Sequence, residues 1–243
     1  MIASAHALSG DPLRREIETV IISSRVSQPP ENKRPKKGAS ASTRPLLEVV
    51  LHDTVIFPEG GGQPFDTGII QTIVDGLLFS VVQARRIGLT ACHYVSVDAA
   101  DVESALVALA PGQKVRASLD EAGFDRRMDH ASMHTSQHLL SAILETALNL
   151  PTLSWSLTDF PSPCYVEVPR GMTLEEIDMI QKRANRLVLE GRKIHVEVAE
   201  LEEQEREPVS KLESGRSVGK ALPEDYTGGV KRVVVIDGVD RNP

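Results

Sequence analysis

The sequence predicts a mixed α/β (α+β) fold, with a small β-barrel over residues 1–118 and a unit over residues 119–243 that combines helices with a sheet. Between residues 46 and 118, short β-branched runs alternate with turn residues, as in the strands of a barrel. After residue 118 the apolar residues Met133, Leu139, Leu140, Ile143, Leu144 and Ala147 recur at helical spacing. Strand-like runs then return in "KIHVEVA" (193–199) and "KRVVVID" (231–237).

The first expected strand is "REIETVIISSRV" (15–26). The following segment, at about 27–45, is rich in Pro, Ser, Lys and Gly with almost no apolar anchor, which predicts a flexible insertion joining two paired strands. Beyond it, "LLEVVLHDTVIF" (46–57), "GIIQTIV" (68–74), "LLFSVVQARR" (77–86), "TACHYVSV" (90–97) and "QKVRASLD" (113–120) read as strands. Asp75-Gly76 favours a tight hairpin between the second and third of these. Residues 101–112 suit either a helix or an irregular connection. The helical spacing predicts a helix over 133–148, and a second over 173–191, where Thr173 and Glu176 match a capping box and Gly191 supplies a stop.

A chain of 243 residues buries cores without covalent staples, and aromatics at 4% mean those cores are aliphatic. The formal charge of −7 argues against indiscriminate attraction to nucleic acid, DNA included. Basic clusters nevertheless stand at 33–37, 85–86, 126–127 and 181–186, with an acidic run at 197–207. No apolar run approaches the roughly 20 residues of a membrane span, and the amino terminus lacks a signal-peptide pattern. A cytoplasmic protein without membrane contact is therefore expected. Cys92 and Cys164 are far apart and form no C-x-x-C, which excludes a cysteine-built zinc ribbon.

Candidate chemistry concentrates in "HASMHTSQHLLSAIL" (130–144). Residues four apart share a helix face, so His134 and His138 can present ring nitrogens to one point. About 12 Å of rise separates His130 from His138, too far for one ion to hold both at bonds near ~2 Å. Thr135 stands where a zinc protease of the H-E-x-x-H type needs its glutamate base, so that chemistry is excluded. The pair reads either as metal ligands or as polar helix-face histidines bonded to neighbours. A zinc site needs further donors, for which Cys164, Cys92, His195 and several carboxylates are available and sequence does not choose.

"FPEGGGQPFDTG" (57–68) places three consecutive glycines between apolar strands, where backbone must turn sharply or approach another surface closely. It matches neither phosphate-binding fingerprint, and a wide barrel turn is the plain alternative.

Taken in order, "FPEGGGQPFDTG", "DRRM" leading into "HTSQHLL", and "GGVKRVVVIDGVDRNP" resemble the freestanding alanyl-tRNA editing proteins of the AlaX type over roughly residues 46–243. The resemblance implies a translation-factor-like β-barrel followed by an α/β editing domain. It also implies hydrolysis of the ester of tRNA(Ala) mischarged with serine, or with glycine. With about 45 residues ahead of the barrel, a freestanding editor is expected rather than a synthetase. In the family, zinc is held by the two histidines, here His134 and His138, together with a C-x-x-x-H pair just after the final strand. That pair is expected beyond "DGVDRNP", so the editing domain is read as C-terminally incomplete.

On this reading water attacks the ester carbonyl. Zinc either anchors the aminoacyl end or polarises the carbonyl. Gln63, Thr135 and Gln137 are candidates for contact with substrate, and Arg126, Arg127, Lys182, Arg183 and Arg186 for the phosphates of tRNA. The rival expectation is a noncatalytic tRNA- or synthetase-binding module that kept the scaffold without a complete zinc site.

Overall fold

The computed structural model describes residues 11, 13–27, 44–60, 62–158, 162–200 and 230–242. Most of the expected insertion (28–43), the basic run at 33–37 and the acidic run past residue 200 lie outside the described residues. The chain divides into two compact units, Met1–Met128 and Asp129–Pro243.

In the first unit six strands close an antiparallel barrel: β1 (Glu16–Val26), β2 (Leu46–Leu51), β3 (Gly68–Thr72), β4 (Leu78–Ile87), β5 (Thr90–Ser96) and β6 (Lys114–Ser118). They are ordered β1-β2-β5-β4-β3-β6 around the barrel. Alternation in the sequence is what turns one face of each strand inward. In β2, Leu47, Val49 and Leu51 are buried while their neighbours are half-exposed, and Ile70, Val81, Val95 and Val115 fill the same core from other strands. The strands on either side of the insertion pair as expected, β1 with β2, and the register slips once between Ile21 and Ser23.

The Asp75-Gly76 turn is present, with Gly76 at φ 72°, but it is wider than a two-residue hairpin. The Thr72 amide donates to Leu77 O across residues 73–76, and the Thr72 hydroxyl bonds Asp75. Residues 101–112, left open by the sequence, form a short helix, α1 (Val102–Ala108), whose Ala105 joins Leu109 in the barrel core.

The long helix α2 (Glu121–Leu148) starts well ahead of the expected residue 133. Asp120 explains the start, since its carboxylate accepts the Gly123 amide at 2.7 Å as an N-cap does. Apolar periodicity could not show these first turns because two of their buried positions, Arg127 and His130, are polar.

In the second unit Leu139, Ile143 and Leu144 of α2 pack with Leu150, Ile180 and Ile236. Ile180 belongs to α3 (Leu174–Leu189), which begins at the expected Thr173–Glu176 capping box and is followed by Gly191 at φ 63°. Strands β7 (Ser154–Ser156) and β8 (Tyr165–Glu167) form a two-stranded sheet that the sequence did not reveal. Strands β9 (Ile194–Glu200), β10 (Val230–Ile236) and β11 (Asp240–Asn242) form an antiparallel sheet in the order β11-β10-β9. Among the described residues no helix is long and apolar enough to cross a membrane.

Candidate functional site

The glycine loop of the first unit is a closed hairpin. Gly60 and Gln63 exchange backbone bonds at 3.2 and 3.0 Å, and Gly62 sits at φ 82°, where a side chain is strained. Gln63 thus closes the turn against Gly60. The base of the loop is held by Asp66, whose amide donates to Phe57 O at 2.9 Å and whose Oδ2 accepts the Phe57 amide at 2.7 Å.

Oδ2 of Asp66 also accepts from Arg127, at 2.9 Å from Nε and 2.5 Å from Nη2, and Nη2 donates to Val55 O as well. Arg127 is 3% exposed and Asp66 fully buried. Arg127, expected to contact RNA phosphates, has its guanidinium bonded inside the barrel unit. The neighbouring Arg126 donates to Phe65 O at 3.1 Å and lies over the Phe65 ring. It too is used by the loop.

In the second unit α2 carries His134 and His138 with their rings stacked, centroids 4.9 Å apart and 24° from parallel. The single tryptophan, Trp155 on β7, lies 5.1 Å from the His134 ring. Burial lowers the pKa of His138, partly opposed by the carboxylate of Asp240, so the ring is neutral near pH 7, which is the form that binds a metal. Among the described residues its buried Nδ1 has no hydrogen-bond partner, and Asp240 Oδ2 faces it at 4.0 Å. His130 is 1% exposed, a buried neighbour on the same helix.

Thr135 donates its hydroxyl back to Ala131 O at 2.9 Å, a bond within the helix. Gln137, 7% exposed, donates to Ser141 Oγ at 2.9 Å, and Thr152 donates to the same oxygen at 2.6 Å. Its Oε1 is buried without a partner among the described residues.

Burial, with Glu48 adding to it, pushes the Cys92 thiol in the barrel up to about 11, so it is not a thiolate at neutral pH. Cys164 is engaged with Thr158 at 3.4 Å. His195 lies between Asp237 at 3.3 Å and Glu197 at 3.4 Å. Among the described residues no three His, Cys, Asp or Glu side chains form a metal cluster. The two stacked imidazoles are nitrogen donors of the kind zinc takes, two of the four that a structural site needs.

Lys182, Arg183 and Arg186 are all exposed on α3. Lys182 pairs with Asp178 at 2.7 Å and Arg186 with Glu190 at 3.0 Å, both one turn apart.

Over 232 residues, 96% of this chain, the sequence is 33% identical to alanyl-tRNA editing protein Aarsd1 of Mus musculus, covering 48% of that protein. The chain is a homologue of the alanyl-tRNA editing proteins. It is also 34% identical to the putative alanyl-tRNA editing protein alaX of Saccharomyces cerevisiae over 216 residues, 81% of this chain and 42% of that one. Alanine–tRNA ligase of Pyrococcus abyssi shares 30% identity over 154 residues, 60% of this chain and 15% of the ligase. No protein-family model matches.

This editing-protein homologue spans about half the length of the curated relatives it matches. Coverage of 96% cannot fit behind residue 46, so the similarity extends into the segment that contains β1, which the motif resemblance did not reach. Sequence reasoning missed Asp66, Trp155 and Asp240. Asp66 and Asp240 stood inside the quoted motifs "FPEGGGQPFDTG" and "DGVDRNP", and Trp155 was marked only by being the sole tryptophan.

Proposed function

We propose that this chain is a trans-editing aminoacyl-tRNA deacylase of the cytoplasm, hydrolysing the ester of tRNA(Ala) mischarged with serine, with glycine as a second substrate. The observation that carries the reading is the stacked His134–His138 pair in a chain one-third identical to alanyl-tRNA editing proteins. His134 and His138 would hold zinc. Bound zinc supplies a Lewis acid for the aminoacyl ester.

The chain's own residues account for selectivity. A synthetase pocket separates serine from alanine poorly, whereas a site that must hydrogen-bond a hydroxyl rejects a substrate lacking it. Gln137 sits one residue before His138 with a buried, unpartnered amide oxygen, and that oxygen accepts the hydroxyl of the seryl group. Lys182, Arg183 and Arg186 contact tRNA phosphates, with Lys182 and Arg186 exchanging Asp178 and Glu190 for RNA.

A second reading, a noncatalytic tRNA- or synthetase-binding module, is favoured by the donor set among the described residues, where no third ligand joins the two imidazoles and two hold zinc more weakly than four. Metal analysis combined with deacylation of seryl-tRNA(Ala) separates the two. Stoichiometric zinc and rapid hydrolysis, both lost in His134→Ala, support the editor. Tight tRNA binding with neither zinc nor hydrolysis establishes the binding module. The same assay on Gln137→Ala and Gln63→Ala reads their contributions.

A further inference from the structure

We propose that Asp240 is the positioning residue for His138. Its carboxylate holds the imidazole in the Nδ1–H tautomer, directing Nε2 to the ligand side. The inference deepens the editing-site reading above and rests on it for the use to which Nε2 is put.

His138 Nδ1 is a buried polar atom without a hydrogen-bond partner among the described residues, an arrangement that costs free energy unless a nearby charge compensates. Asp240 Oδ2 stands 4.0 Å from that nitrogen, and both side chains are largely withdrawn from solvent, at 17% and 18% exposure. A separation of 4.0 Å is about 1 Å beyond hydrogen-bond length, so a small ring or carboxylate rotation closes it, or one water bridges it.

A neutral imidazole carries its proton on one nitrogen only. A carboxylate facing Nδ1 favours the proton there, by attraction to the N–H and by repulsion of the lone pair the other tautomer would point at it. Nε2 is then the unprotonated nitrogen, free to bind a metal. Ligating histidines are commonly oriented in this way by a carboxylate on the opposite ring nitrogen.

The chain delivers Asp240 to this place by a specific device. Strand β10 ends at Ile236, which belongs to the same buried core cluster as Leu139 and Ile143 of α2, the helix that carries His138. The turn at Gly238, φ 70°, reverses the chain, and Asp240 opens β11 directly across from Ile236. The hairpin therefore returns a carboxylate to a strand position already registered on α2.

The test is nitrogen-detected NMR of the imidazoles in the full chain without metal, comparing wild type, Asp240→Asn and Asp240→Glu, with His138→Gln to assign the ring. Wild type and Asp240→Glu are expected to show His138 protonated at Nδ1, and Asp240→Asn a mixture of tautomers. A dominant Nε2–H tautomer in the wild type, or an unchanged tautomer in Asp240→Asn, overturns the proposal. If Asp240→Asn does not fold, Asp240→Glu and the wild type still decide it, because loss of the Nδ1–H tautomer in either overturns it. A parallel zinc titration against a chromogenic chelator is expected to show about 10–100-fold weaker binding in Asp240→Asn. A wild-type chain that binds no zinc defeats the zinc reading, while the tautomer measurement still decides the role of Asp240.

Discussion

The guanidinium of Arg127 and the carboxylate of Asp66 form a buried ion pair, 2.5 Å apart, that joins the first turns of α2 to the end of the glycine loop. The single oxygen Oδ2 takes the Phe57 amide and two Arg127 nitrogens, so the loop base and the helix share one acceptor. Removing one partner leaves an uncompensated buried charge. Asp66→Asn and Arg127→Met are each expected to cost about 3–5 kcal/mol of stability. Denaturant unfolding of both singles and the double should show strong coupling, and simple additivity would contradict the shared-acceptor account.

Close approach, more than helix propensity, sets residue 123. A Cβ at Gly123 would stand 2.7 Å from Thr67 O and 2.9 Å from Asp120 Oδ1. Alanine gains roughly 1 kcal/mol of helix propensity over glycine, but the clash is with a backbone carbonyl and the capping carboxylate, worth roughly 1–3 kcal/mol. Gly123→Ala is therefore expected to lower the melting temperature. A more stable variant would show that α2 can shift from Thr67 freely.

His93 makes the barrel sensitive to acid. The ring is fully buried, hydrogen-bonded through Nδ1 to Val49 O at 3.0 Å and through Nε2 to Thr54 Oγ1 at 2.9 Å. Burial pushes its pKa down to about 4 from an ordinary 6.5. Between those values the unfolded chain binds a proton that the folded chain does not, so stability rises with pH through this window. The contribution is complete above pH 6.5, declines as pH falls towards 4, and amounts to something on the order of 3 kcal/mol. Stability curves of wild type and His93→Gln across this range should differ in slope, and parallel curves would refute the assignment.

Trp155 provides an optical report on the histidine pair, because it is the only tryptophan and lies 5.1 Å from the His134 ring. Cobalt(II) added to the full chain is expected to quench its emission saturably, with the effect lost in His134→Ala and restored by a chelator. Equal quenching of the wild type and His134→Ala would place the metal elsewhere.

Much of the first unit was legible because a half-buried strand repeats every two residues. Leu47, Val49 and Leu51 announce their inward face by alternation alone. The candidate site was legible only along the helix, where His134 and His138 are one turn apart. The start of α2 was hidden because Arg127 and His130 occupy inward positions that apolar periodicity cannot recognise.

By itself the sequence determined the barrel strands, the capping box at Thr173, the histidine spacing and the similarity to alanyl-tRNA editing proteins. These depend on local periods, local hydrogen bonds and motif order, all of which are written in consecutive residues. Tertiary structure alone decided that Arg127 pairs with Asp66, that Trp155 flanks His134, and that Asp240 faces His138. A partner 61 residues away, as Asp66 is from Arg127, leaves no trace in either neighbourhood. Pairing at that separation is fixed by how strands and helices pack, and it is packing that gives a charged or aromatic side chain its role.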